Sequence, residues 1–230
     1  MRRERIASTI TTNMHLLLML ALTFSTGVID AVGYLGLDRV FTANMTGNVV
    51  ILGMALVGAD DLPVLGPLLA LVGFMGGAAL GGRLLKSADP GWTRRTTVLL
   101  GLVATVMVAT SILLLAIDDD ISELVAVSIT TVLGAAMGVQ AATARFIAVK
   151  DVTTVVVTST ITGLAADSWL GSGRKSGDSP RRIAAVLLIL AGAAVGAALL
   201  KWHLGAGLML AGGITAAVAV AGALASRRAA

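Results

Sequence analysis

The 230-residue chain contains no cysteine, which excludes disulfides, thiolate catalysis and cysteine-ligated metals. Its two histidines, His15 and His203, stand far apart near the ends of apolar runs, so interfacial packing is expected rather than a paired-histidine metal site. Aromatic residues make up only 3%, too few for a developed interfacial belt. Charged residues amount to 13%, against about 25% in soluble domains. What fills the chain instead is apolar: 57% hydrophobic residues and a mean hydropathy of +0.93. Several runs exceed the roughly 20 residues needed to cross a hydrocarbon core. The fold class expected is therefore an all-α polytopic membrane protein.

A net charge of +4 and a pI near 10.1 invite a nucleic-acid reading. The positions of the Lys and Arg residues argue against it, because most lie in short loops between apolar runs, where the positive-inside rule accounts for them. Hydropathy gives spans near 14–36, 62–84, 96–117, 123–144, 183–200 and 205–224, with two ambiguous segments at 42–57 and 152–170. If both ambiguous segments re-enter, six spans result, both termini are cytoplasmic, and the cationic residues divide 15 inside to 2 outside, Arg39 and Lys201 being the exceptions. If both cross, the division is 9 to 8. The first arrangement is the one the charge bias favours. The basic Met1–Arg5 followed by a long apolar run reads as a retained first helix with no clear cleavage site.

The two ambiguous segments are also the most polar at membrane depth. The first reads Phe41-Thr42-Ala43-Asn44-Met45-Thr46-Gly47-Asn48; the second is Thr-rich, running from Thr153 to Gly163. Each follows an apolar stretch carrying one strongly polar residue, Asp30 and Gln140, offset by 110 residues; Thr46-Gly47 set against Thr158-Ser159 gives 112. Residues 1–117 and 118–230 thus read as two repeats of one plan: a helix, a re-entrant or broken segment, and two helices. Three crossings per repeat would invert the second relative to the first, bringing the polar segments together near the midplane, where non-helical backbone survives only when buried or lining a wet cavity. Small residues at three- and four-residue spacing in Gly73–Gly82 and Ala191–Ala198 suit close helix packing in lipid.

The stretch Gly27-Val28-Ile29-Asp30-Ala31-Val32-Gly33-Tyr34-Leu35, followed by 41–48, resembles the YoaK-like family of bacterial membrane proteins, as does Gly138–Arg145 with Asp151–Thr154. The resemblance covers nearly the whole chain, although Ser159 stands where a glycine is expected. It implies a small bacterial inner-membrane protein; the family itself is one of unknown function.

Asp30 is the strongest candidate for chemistry, because a carboxylate inside a helix costs roughly 2.5–3.5 kcal/mol on insertion scales. Either it serves a polar pathway or it caps the segment that follows. Asn44, Thr46 and Asn48 are the polar groups of the first segment, suited to replacing hydration around a solute or to capping a buried turn. In the second segment Thr154, Thr158, Thr160 and Thr162 alternate with apolar residues, as an extended strand or as a helix with back-bonded hydroxyls. Gln140 is expected to face Asp30. The function expected is transport of a small polar or ionic solute, proton coupling included, through a site at the repeat interface formed by Asp30, Asn44, Thr46, Asn48, Gln140, Thr154, Thr158 and Thr162. A passive channel and a non-transporting scaffold are the alternatives. No cofactor, metal or enzymatic activity is expected; the partners are the lipid bilayer, the solute and, in a homo-oligomer, further copies.

Overall fold

The computed structural model describes residues 2–117, 121–147, 157–168 and 179–229, with side chains over 13–227 of these. All the regular structure among them is helical: α1 (Arg2–Gly36), α2 (Met45–Ala55), α3 (Leu65–Leu85), α4 (Arg94–Leu115), α5 (Glu123–Ile147), α6 (Val157–Ala166), α7 (Ser179–Leu200) and α8 (Leu204–Ala229). Six are long and apolar enough to cross a membrane, and they overlie the six spans expected from hydropathy within a few residues. The other two, α2 and α6, have 11 and 10 residues. At 1.5 Å per residue each is about 16 Å long, roughly half the thickness of a hydrocarbon core.

Glycines set how the long helices meet. A Cβ placed on Gly27 would strike the backbone of Ile189 and Ala193, and one on Gly196 would lie 2.6 Å from the Val28 carbonyl, so α1 and α7 run parallel in backbone contact. The α3–α5 pair repeats this: Gly73 lies against Thr131, Gly77 against Ala135, and Gly138 against Phe74 and Ala78. In lipid, dispersion between closely approached backbones replaces the hydrophobic drive that holds soluble helices together. The α4–α8 pair is antiparallel, with Gly205 against Ser111 and Gly222 against Trp92. Ser111 Oγ donates to the Gly205 carbonyl at 2.7 Å, and Ser25 Oγ donates to the Ala211 carbonyl at 3.1 Å, pinning α8 to α4 and α1. His15 packs on Trp92 with ring centroids 5.9 Å apart, the packing role expected of it.

These contacts fix which helix ends lie together. Gly36, Asp38, Asp61, Pro63 and Glu123 line one pocket, so the end of α1, the α2–α3 connection and the start of α5 share one end of the bundle, termed here the outer end. The chain leaves α1 and enters α3 at that same end, which makes the segment carrying α2 re-entrant. At the opposite, inner end, Asp167 just after α6 pairs with Arg182 in the first turn of α7 at 2.8 Å. Arg83, Lys86, Arg94, Arg95, Arg145, Arg181, Arg182 and Arg227 belong to the inner end, Arg39 and Lys201 to the outer. Exchanging α1–α4 with α5–α8 maps the main packed pairs onto one another: α3–α5 onto α7–α1, α1–α8 onto α5–α4, α2–α3 onto α6–α7.

Packing this close makes a matched prediction. Gly138→Ala drives a methyl into the α3 backbone and is expected to lower stability by about 1–3 kcal/mol. Gly76→Ala meets nothing and gains helix propensity, raising stability by up to about 1 kcal/mol. Thermal unfolding of the two variants in detergent should move in opposite directions.

Candidate functional site

The segment between α1 and α2 turns back on α1 because four residues interlock. Gly33 leaves room for the returning chain; a Cβ there would meet the Val40 carbonyl at 2.5 Å and the Thr42 methyl at 3.1 Å. The Asp30 carboxylate then collects the exposed backbone: its Oδ1 accepts from the N–H groups of Thr42 at 3.0 Å, Ala43 at 2.7 Å and Asn44 at 3.3 Å, with the Thr42 hydroxyl at 3.4 Å. Asn48 clamps Phe41 from the other side. Its Oδ1 accepts from the Phe41 N–H at 2.9 Å and its Nδ2 donates to the Phe41 carbonyl at 2.6 Å. Gly47 makes space for the Phe41 ring, which stacks on Tyr34 at 4.7 Å. Asn44 caps α2 by accepting from the Gly47 N–H at 3.3 Å.

Asp30 lies six residues before the end of α1, so α2 begins about 9 Å inside the bundle. There a cavity of about 490 Å³ opens, bounded by Asp30, Tyr34, Phe41, Asn44, Thr46 and Gly47, by Val157 and Thr158, and by Ile189 of α7. Thr46 and Gly47 belong to the first turn of α2; Val157 and Thr158 begin α6. The two short helices thus present their N-terminal turns to one space, α2 running from it to the outer end and α6 to the inner end. Helix N-termini carry the positive end of the backbone dipole and unpaired N–H groups. Among the described residues, Oδ2 of Asp30 takes no hydrogen bond, while Oδ1 takes all of those above.

Of the residues singled out from the sequence, Asp30, Asn44, Thr46 and Thr158 line this cavity. Asn48 is buried and committed to Phe41. Thr162 donates to the Thr158 carbonyl at 3.0 Å, the back-bonded helical alternative, and Thr160 is buried. Thr154 lies outside the described residues. Gln140 is fully buried and reaches not Asp30 but Thr26, one turn further in along α1, with its Nε2 3.4 Å from the Thr26 hydroxyl. Its Oε1 has no partner among the described residues. Tyr34, Phe41 and Ile189 complete the cavity wall without having been singled out. Only the four-residue spacing of Thr26 and Asp30 marked Thr26 as sharing the polar face.

Against known proteins, a model of a protein family of unknown function, DUF1275, matches residues 18–221. The chain belongs to that family. It is 32% identical over 152 residues to the UPF0700 transmembrane protein YoaK of Bacillus subtilis (strain 168), an alignment covering 65% of this chain and 65% of that protein. No solved structure matches. The chain is a multi-pass membrane protein of this family.

Replacing Asp30 separates its two properties. Asp30→Ala leaves the Thr42, Ala43 and Asn44 N–H groups without their acceptor and is expected to destabilise by about 1–3 kcal/mol. Asp30→Asn keeps an acceptor oxygen and is expected to lose clearly less. Gln140→Leu removes an acceptor without a partner among the described residues and should be neutral or stabilising. Unfolding in detergent reads all three.

At the outer end, burial and the nearby Glu123 raise the carboxyl of Asp38 above its ordinary range, with Arg39 opposing. A raised pKa in the folded state means tighter proton binding there than in the unfolded chain, so this contribution to stability is lost as pH rises through the raised value. Asp38 sits at φ 57°, a conformation asparagine tolerates. Asp38→Asn is therefore expected to raise the unfolding temperature slightly near pH 7 and to flatten its decline with pH above 4.

Proposed function

We propose that this protein is a membrane transporter for a small polar or ionic solute, bound at the cavity between Asp30 and the first turns of α2 and α6. The observation that carries this reading is the convergence of two half-length helices, one from each half of the chain, on a cavity holding a buried carboxylate. Discontinuous segments with N-terminal turns aimed at a solute are a recurrent way to bind at the midplane. We read the exchange of helix pairs and the opposite directions of α2 and α6 as an inverted repeat, with two halves that rock about the site. The N-terminal turns supply donors to acceptor groups of the solute, and Oδ2 of Asp30 supplies an acceptor or a proton-carrying site. Under the charge distribution both termini are cytoplasmic, in a bacterial inner membrane.

A second reading has its own support. Among the described residues, every hydrogen bond to Asp30 comes from the loop it holds, which is also what a scaffold with a well-capped buried turn requires.

Accessibility separates the two without knowledge of the solute, since the native chain has no cysteine. Thr46→Cys and Thr158→Cys both place the thiol at positions that line the cavity. A transporter is expected to let an impermeant maleimide reach each of them from either membrane face, in right-side-out and in inverted vesicles. Asp60→Cys at the outer end and Ser176→Cys serve as sidedness controls. Labelling of each cavity cysteine from one face only would favour the scaffold. If both faces label, Asp30→Asn distinguishes proton-coupled transport, which it abolishes, from a passive channel, which it spares.

A further inference from the structure

A second cavity, of about 750 Å³, lies between the inner halves of α3 and α5 and shares no residue with the site above. The two helices run parallel in backbone contact, and beside that seam the small residues Ala78, Gly82, Ala141 and Ala142 leave an open furrow. Its walls are the rings of Phe74 and Phe146. Its mouth, at the helix ends, carries Lys86 and Arg145. Two other cations of the inner end are engaged, Arg95 donating to the Leu84 carbonyl and the Ser87 hydroxyl and Arg182 pairing with Asp167; Arg83 and Arg94 lie outside the furrow. Among the described residues, Lys86 and Arg145 have no carboxylate partner.

An apolar furrow running into the membrane, closed at headgroup level by two unpaired cations, has the chemistry of a phospholipid with a net negative headgroup. The furrow takes part of an acyl chain, the cations take the phosphate. Basic pockets between helix ends are a recurrent way of holding anionic lipids. We propose that the α3–α5 groove is a binding site for one anionic phospholipid, its phosphate between Lys86 and Arg145. The corresponding place at the outer end is not built the same way. Lys201 follows α7 as Lys86 follows α3, but the position matching Arg145 at the 110-residue offset is Leu35. The site is thus confined to the inner end, and it stands whether or not the protein transports anything.

The test is lipid titration of the detergent-purified full chain, read by native mass spectrometry, with phosphatidylglycerol against phosphatidylcholine. Phosphatidylglycerol is expected to be retained at least tenfold more tightly. Loss of both cations in Lys86→Gln/Arg145→Gln should weaken it about thirtyfold. Arg83→Gln/Arg94→Gln, with the same change in charge at the same end but outside the groove, should leave it within about twofold. Gly82 lines the furrow and has open space where a Cβ would sit, so Gly82→Leu adds apolar bulk there while leaving both charges in place. That variant should also lose the lipid, and its unfolding temperature verifies that it folds. Any one of four outcomes overturns the proposal: no preference in the native chain, equal loss with the Arg83/Arg94 pair, full retention by Gly82→Leu, or displacement by millimolar inorganic phosphate. The last would mean a site for the free anion.

Discussion

One carboxylate oxygen organises the interior of this protein. The chain between α1 and α2 descends about 9 Å into the bundle without forming a helix, and its backbone N–H groups need acceptors where lipid offers none. Oδ1 of Asp30 provides them for three consecutive residues. Everything that follows in the first half depends on this. The start of α2 is held at depth, its N-terminal turn faces inward, and its short length is enough to return to the outer end. An uncompensated carboxylate would be costly at this position. An uncapped loop would be costly too. Each removes the other's penalty, which is why both persist.

That pairing also explains how much was legible. The six long helices were readable because about 20 apolar residues in a row have one solution in lipid, and the cations at the inner end fixed where the chain turns. The re-entrant character of 42–57 followed from the same charges and is visible in the shared pocket of Gly36, Asp38, Asp61 and Pro63. Polarity at depth points to Asp30, Asn44, Thr46 and Thr158, and these four line one cavity. Which of two roles a polar residue plays was not readable. Asn48 has the same composition signal as Asn44, yet one side chain clamps Phe41 and the other borders the cavity. The difference lies in where one helical turn points once the loop has folded back. Gln140 was matched to Asp30 by offset, and offset fixes a position along a helix, not the partner its side chain meets.

The glycines act at a different level. Those at the α1–α7 and α3–α5 crossings bring backbones into contact, so each parallel pair is a closely fitted unit. The short helices sit beside these units: α2 packs on α3, and α6 packs on α7. Each therefore belongs with a pair that contains helices from both halves. The first short helix is thereby tied to both pairs, since it packs on α3 while Asp30 of α1 holds the loop that leads into it.

The two halves differ most where they are most alike in position. Asp30 carries a carboxyl group engaged with its own loop through Oδ1 alone; Gln140 carries a neutral amide, fully buried, with its oxygen unpartnered among the described residues. Two buried carboxylates at matching depth would repel each other and double the desolvation penalty. An amide at the second position keeps polarity there at a far smaller penalty. Under the inverted-repeat reading, the outcome is one ionisable group for one cavity, bounded by two helix N-termini of the same polarity. A solute held there would meet donors from both halves and a carboxylate from only the first. Under that reading, this polarity within a nearly symmetric frame is the feature that would set a binding site apart from a packing interface.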